Sequence, residues 1–221
     1  MEENYSFIPY HHVRYSDQET IKRSEEHYRY LNTRRTVRNF SPDPVPMEAI
    51  DHIILSASTA PSGANKQPWI FCVVTNKEIK AQIRVAAEEE EYLSYHGRMK
   101  DEWVKDLAHL GTNWHKPFLE TAPLLIAVFR KSYNLENGQK TSNYYVTESV
   151  GIACGILLEA IHYCGLVALT HTPSPMNFLN TILKRPENEN PFLLIPVGYP
   201  EKETLVPDIK RKSLEEICVR Y

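Results

Sequence analysis

Apolar residues fall into four short, continuous runs, and each predicts a buried strand. The runs cover residues 69–74, 124–129, 166–170 and 192–197. A continuous apolar run of this length, bounded by turn residues, is typical of a strand that is covered on both faces. None of the four reaches the roughly 18–20 apolar residues that a membrane span needs, so we expect no contact with a membrane.

Segments of helical periodicity separate these runs. Ser16 and Glu19 fit a capping box, and Pro46 suits the first turn of a helix. The segment 141–163 is apolar on nearly every side, which is typical of a helix that is buried all round, and Gly165 fits its C-terminal cap. The predicted helices cover residues 17–31, 47–57, 77–90 and 141–163.

This order of elements predicts an α+β or α/β chain with four or five strands and at least five helices. The chain has 221 residues and no low-complexity linker, so we expect a single domain over residues 1–221. The C-terminal arm, residues 200–221, carries few apolar positions. A segment of this kind needs a surface to lie on, such as that of a second subunit.

Composition and charge exclude several classes of protein. Lysine and arginine number 25 against 28 acidic residues, so the net charge of −3 argues against a globally basic nucleic-acid binder. The four cysteines are scattered and form no CxxC pair, so we expect neither a metal site nor a redox dithiol. The first residues lack the basic start and apolar core of a secretion signal. These features favour a reduced, cytoplasmic location.

Two basic clusters are candidates for an anion site. Arg34, Arg35 and Arg38 lie within five residues, and Lys210-Arg211-Lys212 lies near the C-terminus. Guanidinium groups bind phosphate through pairs of charged hydrogen bonds. Neither a G-x-G-x-x-G fingerprint nor a P-loop is present, so a nucleotide cofactor must be held by side chains. The clusters form one phosphate site if they meet; the alternative for each is a solvated surface.

Two motifs, an arginine-rich segment and a loop, resemble those of a known family. R-R-T-V-R-x-F at 34–40, followed by A-P-S-G-A-N-x-Q-P-W at 60–69, resembles the flavin mononucleotide (FMN) enzymes of the nitroreductase superfamily. Further segments are similar to the iodotyrosine deiodinases within it. These segments include E-E-E-E-Y-L-S-Y at 88–95, R-M-x-x-E-W-V-x-D-L at 98–107, T-N-W-H-K at 112–116 and V-P-D-I-K-R-K-S-L at 206–214.

The resemblance implies a fold and a set of cofactor contacts. The implied fold is an α+β, nitroreductase-like one, with a central mixed sheet flanked by helices in a domain-swapped homodimer, and FMN at the interface. Thr172 is implied to hydrogen-bond flavin N5, while His171 and Thr36 depart from the residues of animal relatives. The implied FMN-binding residues are Arg34, Arg35, Thr36, Val37, Arg38, Pro61, Ser62, Thr170, His171, Thr172 and Arg211.

The resemblance also implies a substrate site. The backbone N–H of Ala64 is implied to meet a phenolate, so Ala64 and Thr172 are the candidate catalytic residues. Glu91, Tyr95 and Lys116 are implied to hold the amino-acid end of a halotyrosine, and a zwitterion does need one carboxylate and one cation when it is buried. We expect residues 88–116, the substrate lid, to be mobile and to close on the ligand, because four adjacent glutamates repel one another.

The implied reaction is FMN-dependent reductive dehalogenation of 3-iodotyrosine and other halotyrosines to tyrosine and halide. NAD(P)H or a partner reductase would supply the electrons. One alternative is a general nitroreductase or quinone reductase that transfers hydride from FMN, although such an enzyme does not need Glu91, Tyr95 and Lys116. A second alternative, of another class, is a flavin- or tyrosine-binding protein without turnover.

Overall fold

The structure, a computed structural model, describes residues 5–221, so the first part of the N-terminal segment that lacks signal features lies outside the described residues. The chain divides into two compact units, residues 1–34 and 35–221. The first contains helix α1 (Asp17–Asn32). Ser16 caps α1 as predicted, since its Oγ accepts a hydrogen bond from the Glu19 N–H at 3.2 Å. The Glu19 carboxylate instead pairs with Arg23 at 2.7 Å, so only half of the predicted capping box forms.

A four-stranded sheet organises the second unit. Its strands lie in the order β1 (Trp69–Val74), β2 (Leu124–Lys131), β6 (Glu189–Gly198) and β5 (Val167–Ala168), all antiparallel to their neighbours. An isolated parallel bridge joins Ala168 to Thr36, which lies outside the strands of this sheet. The remaining elements are α2 (Met47–Ser58), α3 (Lys77–Leu93), α4 (Asp101–Ala108), α5 (Phe118–Thr121), β3 (Tyr133–Glu136), β4 (Gln139–Ser142), α6 (Val146–Tyr163), α7 (Phe178–Ile182) and α8 (Leu214–Ile217).

The core has two layers, one on each face of the sheet. Along β2, Leu124, Ile126 and Val128 pack with residues of α2 and α6. The alternate residues Leu125 and Phe129 pack on the opposite face with residues of α3, α5 and α7. Successive side chains of a strand point to opposite faces, so a strand covered on both sides is apolar throughout. This arrangement confirms the predicted α+β class of a sheet flanked by helices, although the four strands of the sheet are antiparallel and not mixed.

The predicted start of the long helix at Thr141 is wrong. Residues 133–142 form the hairpin of β3 and β4, and α6 begins only at Val146. The turn of this hairpin places Asn137 at φ 52° and Gly138 at φ 80°. An Asn-Gly pair is a strong hairpin signal because both residues tolerate positive φ. The predicted strand over 166–170 also shortens, to Val167–Ala168.

Helix α6 is buried on one side only, contrary to the expectation that it is buried all round. Val150, Ala153 and Leu157 are fully buried and pack in the core, whereas Gly151, Ile152 and Gly155 are exposed. Its 18 residues are long and apolar enough to cross a membrane by length and composition alone. Its packing against α2 and the sheet identifies it as a core helix with one open apolar face.

Candidate active site

A cavity of about 350 Å³ lies between the substrate lid and the segment that follows β5. Its wall combines charged, hydroxyl and apolar side chains, as small-molecule sites do. The cavity brings together seven of the residues named from the sequence. These are Arg38, Glu91, Tyr95, Lys116, Thr170, His171 and Thr172.

Glu91 and Lys116 form a buried ion pair in this cavity. Lys116 Nζ lies 3.2 Å from Glu91 Oε2, and the two side chains are only 5% and 13% exposed for Lys116 and Glu91. Burial lowers the pKa of Lys116, an effect that Glu91 opposes. Lys116 also donates to the Asn113 carbonyl oxygen. The cavity therefore presents one carboxylate and one ammonium side by side, which are the two charges that a bound zwitterion requires.

Tyr95 completes the predicted trio. α3 ends at Leu93, and a single wide helical turn over residues 94–98 carries Tyr95. The Tyr95 ring centre lies 5.5 Å from Lys116 Nζ. Burial raises the pKa of Tyr95, so its hydroxyl is neutral at physiological pH and can donate a hydrogen bond.

His171 has an unusual environment for an imidazole. It is buried, and its Nε2 is one of the buried polar atoms among residues 5–221 without a hydrogen-bond partner. Burial, reinforced by Lys116 and Arg38, lowers its pKa to about 3. At neutral pH the ring is therefore uncharged, and its 3.9 Å approach to Glu91 Oε1 is not an ion pair. Backbone hydrogen bonds to Leu194 in both directions hold the residue in place.

The arginine-rich segment contributes unequally to the cavity. Arg38 is half-buried on its wall, and burial lowers its pKa. Val37 is buried and Thr36 half-buried in the short bridge to Ala168. Arg35 donates to the Pro207 carbonyl oxygen, which ties the C-terminal arm to this segment. Arg34 lies in the first unit, where its N–H donates to Leu31.

The loop with the other FMN and phenolate candidates does not line the cavity. Pro61 and Ala64 are exposed and Ser62 is half-buried. The loop forms a tight turn in which Ala64 has φ 49°, and Ser62 Oγ accepts a hydrogen bond from the Gln67 N–H at 2.9 Å. Arg211 lies exposed on the C-terminal arm. Within residues 5–221 of one chain, these side chains and the Glu91–Lys116 pair occupy separate places.

The acidic run is less repulsive than its sequence indicates, because three of its four glutamates meet a cation. Glu88 pairs with Arg84 at 2.8 Å, Glu90 with Arg98 at 2.5 Å, and Glu91 with Lys116. Arg98 also donates to the Ser174 carbonyl oxygen at 3.1 Å. The lid is therefore tied to the segment that follows Thr172.

Sequence reasoning missed the apolar part of the cavity wall. Trp103 and Leu107 of α4, together with Met99 before it, line the cavity. Their signal was present, since Trp103 and Leu107 are four residues apart in α4 and so share one face. Phe118 also lines the cavity and meets the His171 ring edge-on, with ring centres 5.5 Å apart.

Comparison with known proteins places the chain among relatives. Residues 31–199 match the sequence profile of the Nitroreductase family. The chain is 58% identical over 222 residues to iodotyrosine deiodinase of Haliscomenobacter hydrossis, covering 100% of both proteins. The chain belongs to the iodotyrosine deiodinases of the nitroreductase family. Human iodotyrosine deiodinase 1 is 49% identical over 220 residues, which cover 99% of this chain and 76% of the human protein.

A solved iodotyrosine deiodinase shares the fold. The crystal structure of that oxidized enzyme, bound to FMN and 3-iodo-L-tyrosine, has a TM-score of 0.78 and 32% identity, and the match covers 88% of this chain and 97% of that one. Family membership and the nitroreductase-like fold, both predicted from the motifs, are thereby confirmed. The roles of individual residues stay predictions.

Proposed function

We propose that the protein is an FMN-dependent enzyme that removes halide reductively from 3-iodotyrosine and related halotyrosines. The observation that carries the proposal is the buried Glu91–Lys116 pair in a cavity of small-molecule size. The similarity to a structure that contains FMN and 3-iodo-L-tyrosine supports it. Oxidoreductases for uncharged aromatic acceptors do not need buried charges of both signs.

The cavity fits the amino-acid end of a halotyrosine. The ammonium of the ligand would pair with Glu91, and its carboxylate would pair with Lys116 and accept from the Tyr95 hydroxyl. The ligand ammonium would stand in for Lys116 as the partner of Glu91, and the ligand carboxylate would stand in for Glu91 as the partner of Lys116. Neither buried charge would therefore lose its counter-charge. An isolated charge in such a place would cost several kcal/mol, roughly 3–5 for a broken buried pair. The site therefore favours zwitterions over phenols that lack the amino-acid end.

The chain also offers donors that suit FMN. Arg38 makes no ion pair among residues 5–221, so its half-buried guanidinium is available to an anion such as a phosphate. Thr170 and Thr172 expose their side chains at the cavity on either side of buried His171, where the Thr172 hydroxyl can donate to flavin N5. Bound FMN would supply the electrons of the reduction. Arg35, Thr36, Ser62 and Arg211 remain further candidate contacts.

The positive φ of Ala64 turns its backbone within an exposed loop. Its N–H is the proposed donor to the phenolate oxygen of the substrate. A fixed backbone donor at that oxygen would set the position of the phenol ring, while Glu91, Tyr95 and Lys116 would hold the amino-acid end. The halogen-bearing carbon is then positioned by both ends of the molecule.

A homodimer completes this site. The open apolar face of α6, with Gly151, Ile152 and Gly155, suits close packing against a second copy, since an added Cβ at either glycine would meet no atom of residues 5–221 within 4 Å beyond the helix's own nearby backbone. A second copy could bring its Ala64 loop to the cavity, and the exposed C-terminal arm could lie on the partner. The electron source, NAD(P)H or a partner reductase, and the cytoplasmic location are part of this proposal.

The decisive experiment is an anaerobic one. Purified protein with FMN is reduced with dithionite, mixed with one equivalent of 3-iodotyrosine, and followed at the flavin absorbance band while iodide and tyrosine are quantified. We expect the flavin to reoxidise with release of one iodide and one tyrosine for each flavin. Reoxidation by nitroarenes or quinones but not by 3-iodotyrosine would favour the general reductase. No reoxidation by either would favour a binding protein without turnover.

A further inference from the structure

One face of α3 holds the segment that carries Lys116. Lys80, Arg84 and Glu88 are four residues apart and therefore share that face. Lys80 Nζ donates to the carbonyl oxygens of Glu120 at 2.9 Å and Ala122 at 2.6 Å, at the end of α5. Arg84 donates to the Glu120 carboxylate at 3.3 Å. Three turns of one helix thus anchor residues 116–122.

Glu88 makes the contact nearest to the cavity. Its Oε1 accepts a hydrogen bond from the Lys116 backbone N–H at 2.6 Å and another from Arg84 Nε at 2.8 Å. Burial alone would raise the pKa of Glu88, but the Lys116 N–H and the Arg84 guanidinium outweigh it and lower that pKa. The carboxylate is therefore charged at neutral pH, and a charged acceptor makes a stronger hydrogen bond than a neutral one.

This bond joins the first residue of the substrate lid to the last. Glu88 and Lys116 are 28 residues apart in sequence, and the segment between them contains α4. One turn beyond Glu88 on the same helix, Glu91 reaches the ammonium of the same lysine. α3 therefore holds Lys116 twice, by its backbone through Glu88 and by its side chain through Glu91.

We propose that Glu88 is a positioning residue for substrate binding: it fixes the backbone of Lys116, so that the Lys116 ammonium stays beside Glu91 while the rest of the lid moves. Glu88 does not line the cavity and so acts through Lys116. The inference rests on the proposed binding of a zwitterionic halotyrosine. It adds that the hydrogen bond between Glu88 and Lys116 holds the two ends of the lid together.

The test compares Glu88→Met, which removes the acceptor but keeps the length of the side chain, with Glu88→Gln, which keeps an acceptor. Glu89→Met is the matched control, because Glu89 is exposed on the same helix. Binding of 3-iodotyrosine and of 2-iodophenol to the FMN-loaded variants is measured by quenching of flavin fluorescence. Hydrogen exchange of the peptide over residues 113–121 is followed by mass spectrometry, without ligand.

We expect Glu88→Met to weaken 3-iodotyrosine binding about tenfold, the scale of one charged hydrogen bond, and to leave 2-iodophenol binding unchanged. Hydrogen exchange over residues 113–121 should be faster in Glu88→Met than in wild type, and unchanged in the other two variants. The affinity of Glu88→Gln for 3-iodotyrosine should stay within about threefold of that of wild type. Wild-type 3-iodotyrosine affinity in Glu88→Met would overturn the proposal. So would an equal loss for both ligands, or unchanged exchange.

Failure of the proposed function has a different signature. Wild-type protein would then bind 3-iodotyrosine no better than 2-iodophenol, and the exchange rates alone would decide whether Glu88 anchors Lys116. Should Glu88→Met not fold, Arg84→Met carries the same comparison. It removes the guanidinium that orients Glu88, together with the bond of that group to the Glu120 carboxylate, and it leaves the Glu88 acceptor in place, so we expect a smaller loss of 3-iodotyrosine affinity, about threefold; an affinity equal to wild type would overturn the proposal.

Discussion

Two regions with proposed roles at one site differ in how complete they are within a single chain. The Glu91–Lys116 region is buried, its charges are paired, and its backbone is anchored to α3. The Ser62–Ala64 loop is exposed and does not line the cavity. The difference teaches that one chain suffices to bury and pair the two charges that we assign to the amino-acid end of a ligand. For the flavin side, we propose that a second copy provides a further surface.

The largest expected effect comes from breaking the proposed contact between copies. Ile152→Asp places a carboxylate on the open apolar face of α6, where Ile152 is 47% exposed, and burying that charge against a partner would cost several kcal/mol. We expect a monomer whose FMN affinity falls by about 100-fold or more. Sedimentation velocity and retained flavin measure both effects.

Val85→Asp is the control for that variant. Val85 is 59% exposed on α3, so the same charge is introduced at another exposed apolar position. It should leave both the assembly and the flavin content unchanged. An Ile152→Asp protein that remains dimeric and yellow would contradict the proposed role of the α6 face.

The next effect removes one charge from the buried pair. Lys116→Met leaves Glu91 without its cation and the ligand carboxylate without a partner, so we expect 3-iodotyrosine binding to weaken about 100-fold or more, as for a broken buried pair. FMN content should not change. Lys77→Met, at an exposed position on α3, is the control, and equal 3-iodotyrosine affinities of the two variants would refute the assigned role of Lys116.

A smaller effect separates turnover from cofactor binding. Thr172→Ala removes the hydroxyl proposed for flavin N5, and we expect deiodination to slow by about tenfold or more. FMN affinity should change less than about fivefold, since one neutral hydrogen bond contributes about 1 kcal/mol. Single-turnover kinetics and FMN titration give the two numbers. Thr170→Ala, two residues earlier at the same cavity, should slow turnover less; an equal loss in both variants would count against a special role for Thr172.

The smallest effect concerns stability and pH. The pKa of His171 is about 3 in the folded protein and about 6.5 when the chain is unfolded. Below pH 6.5 the unfolded chain binds a proton that the folded chain does not, so this residue lowers the free energy of unfolding as pH falls. Between pH 6.5 and 5 the expected loss is about 1.5 kcal/mol.

His171→Thr should remove that part of the pH dependence. Urea unfolding of wild type and variant, at equal concentration and with FMN bound, gives the free energy of unfolding of each protein at pH 6.5 and at pH 5. The change between the two pH values is then compared between the two proteins. Lys116, Arg38 and Glu91 face the ring in both proteins, so their contributions largely cancel. Identical pH dependence in the two proteins would show that His171 is not held in its neutral form.

The sequence predicted the strands of the sheet well, for physical reasons that are local, whereas the trio of Glu91, Tyr95 and Lys116 came from the resemblance alone. The run from Leu124 to Phe129 is apolar at every position because both faces of β2 are covered. The hairpin of β3 and β4 escaped, because its strands are only four residues long and β4 is polar. The hydrogen bond from the Lys116 N–H to Glu88 also escaped, since no local pattern reports a contact between residues 28 positions apart.

Exposure was the hardest property to predict. The apolar pattern of α6 indicated full burial, but hydrophobicity only states that a face avoids water and not what covers it. The same holds for Ala64, whose motif predicted a substrate contact and whose position in one chain lies on the surface. The expectation for α6 was wrong for a single chain, and the role of Ala64 stays a prediction; both concern surfaces that we propose a second copy covers.

The most direct test of the zwitterion site compares two ligands that differ in a single group. 3-Iodotyramine has the iodophenol and the ammonium of 3-iodotyrosine but lacks the carboxylate that Lys116 would bind. Flavin-fluorescence titrations of the FMN-loaded protein give the two dissociation constants. We expect 3-iodotyramine to bind about 100-fold more weakly or worse, because Lys116 stays unpaired by the ligand. Equal dissociation constants for the two ligands would contradict the assignment of Glu91 and Lys116 to the amino-acid end.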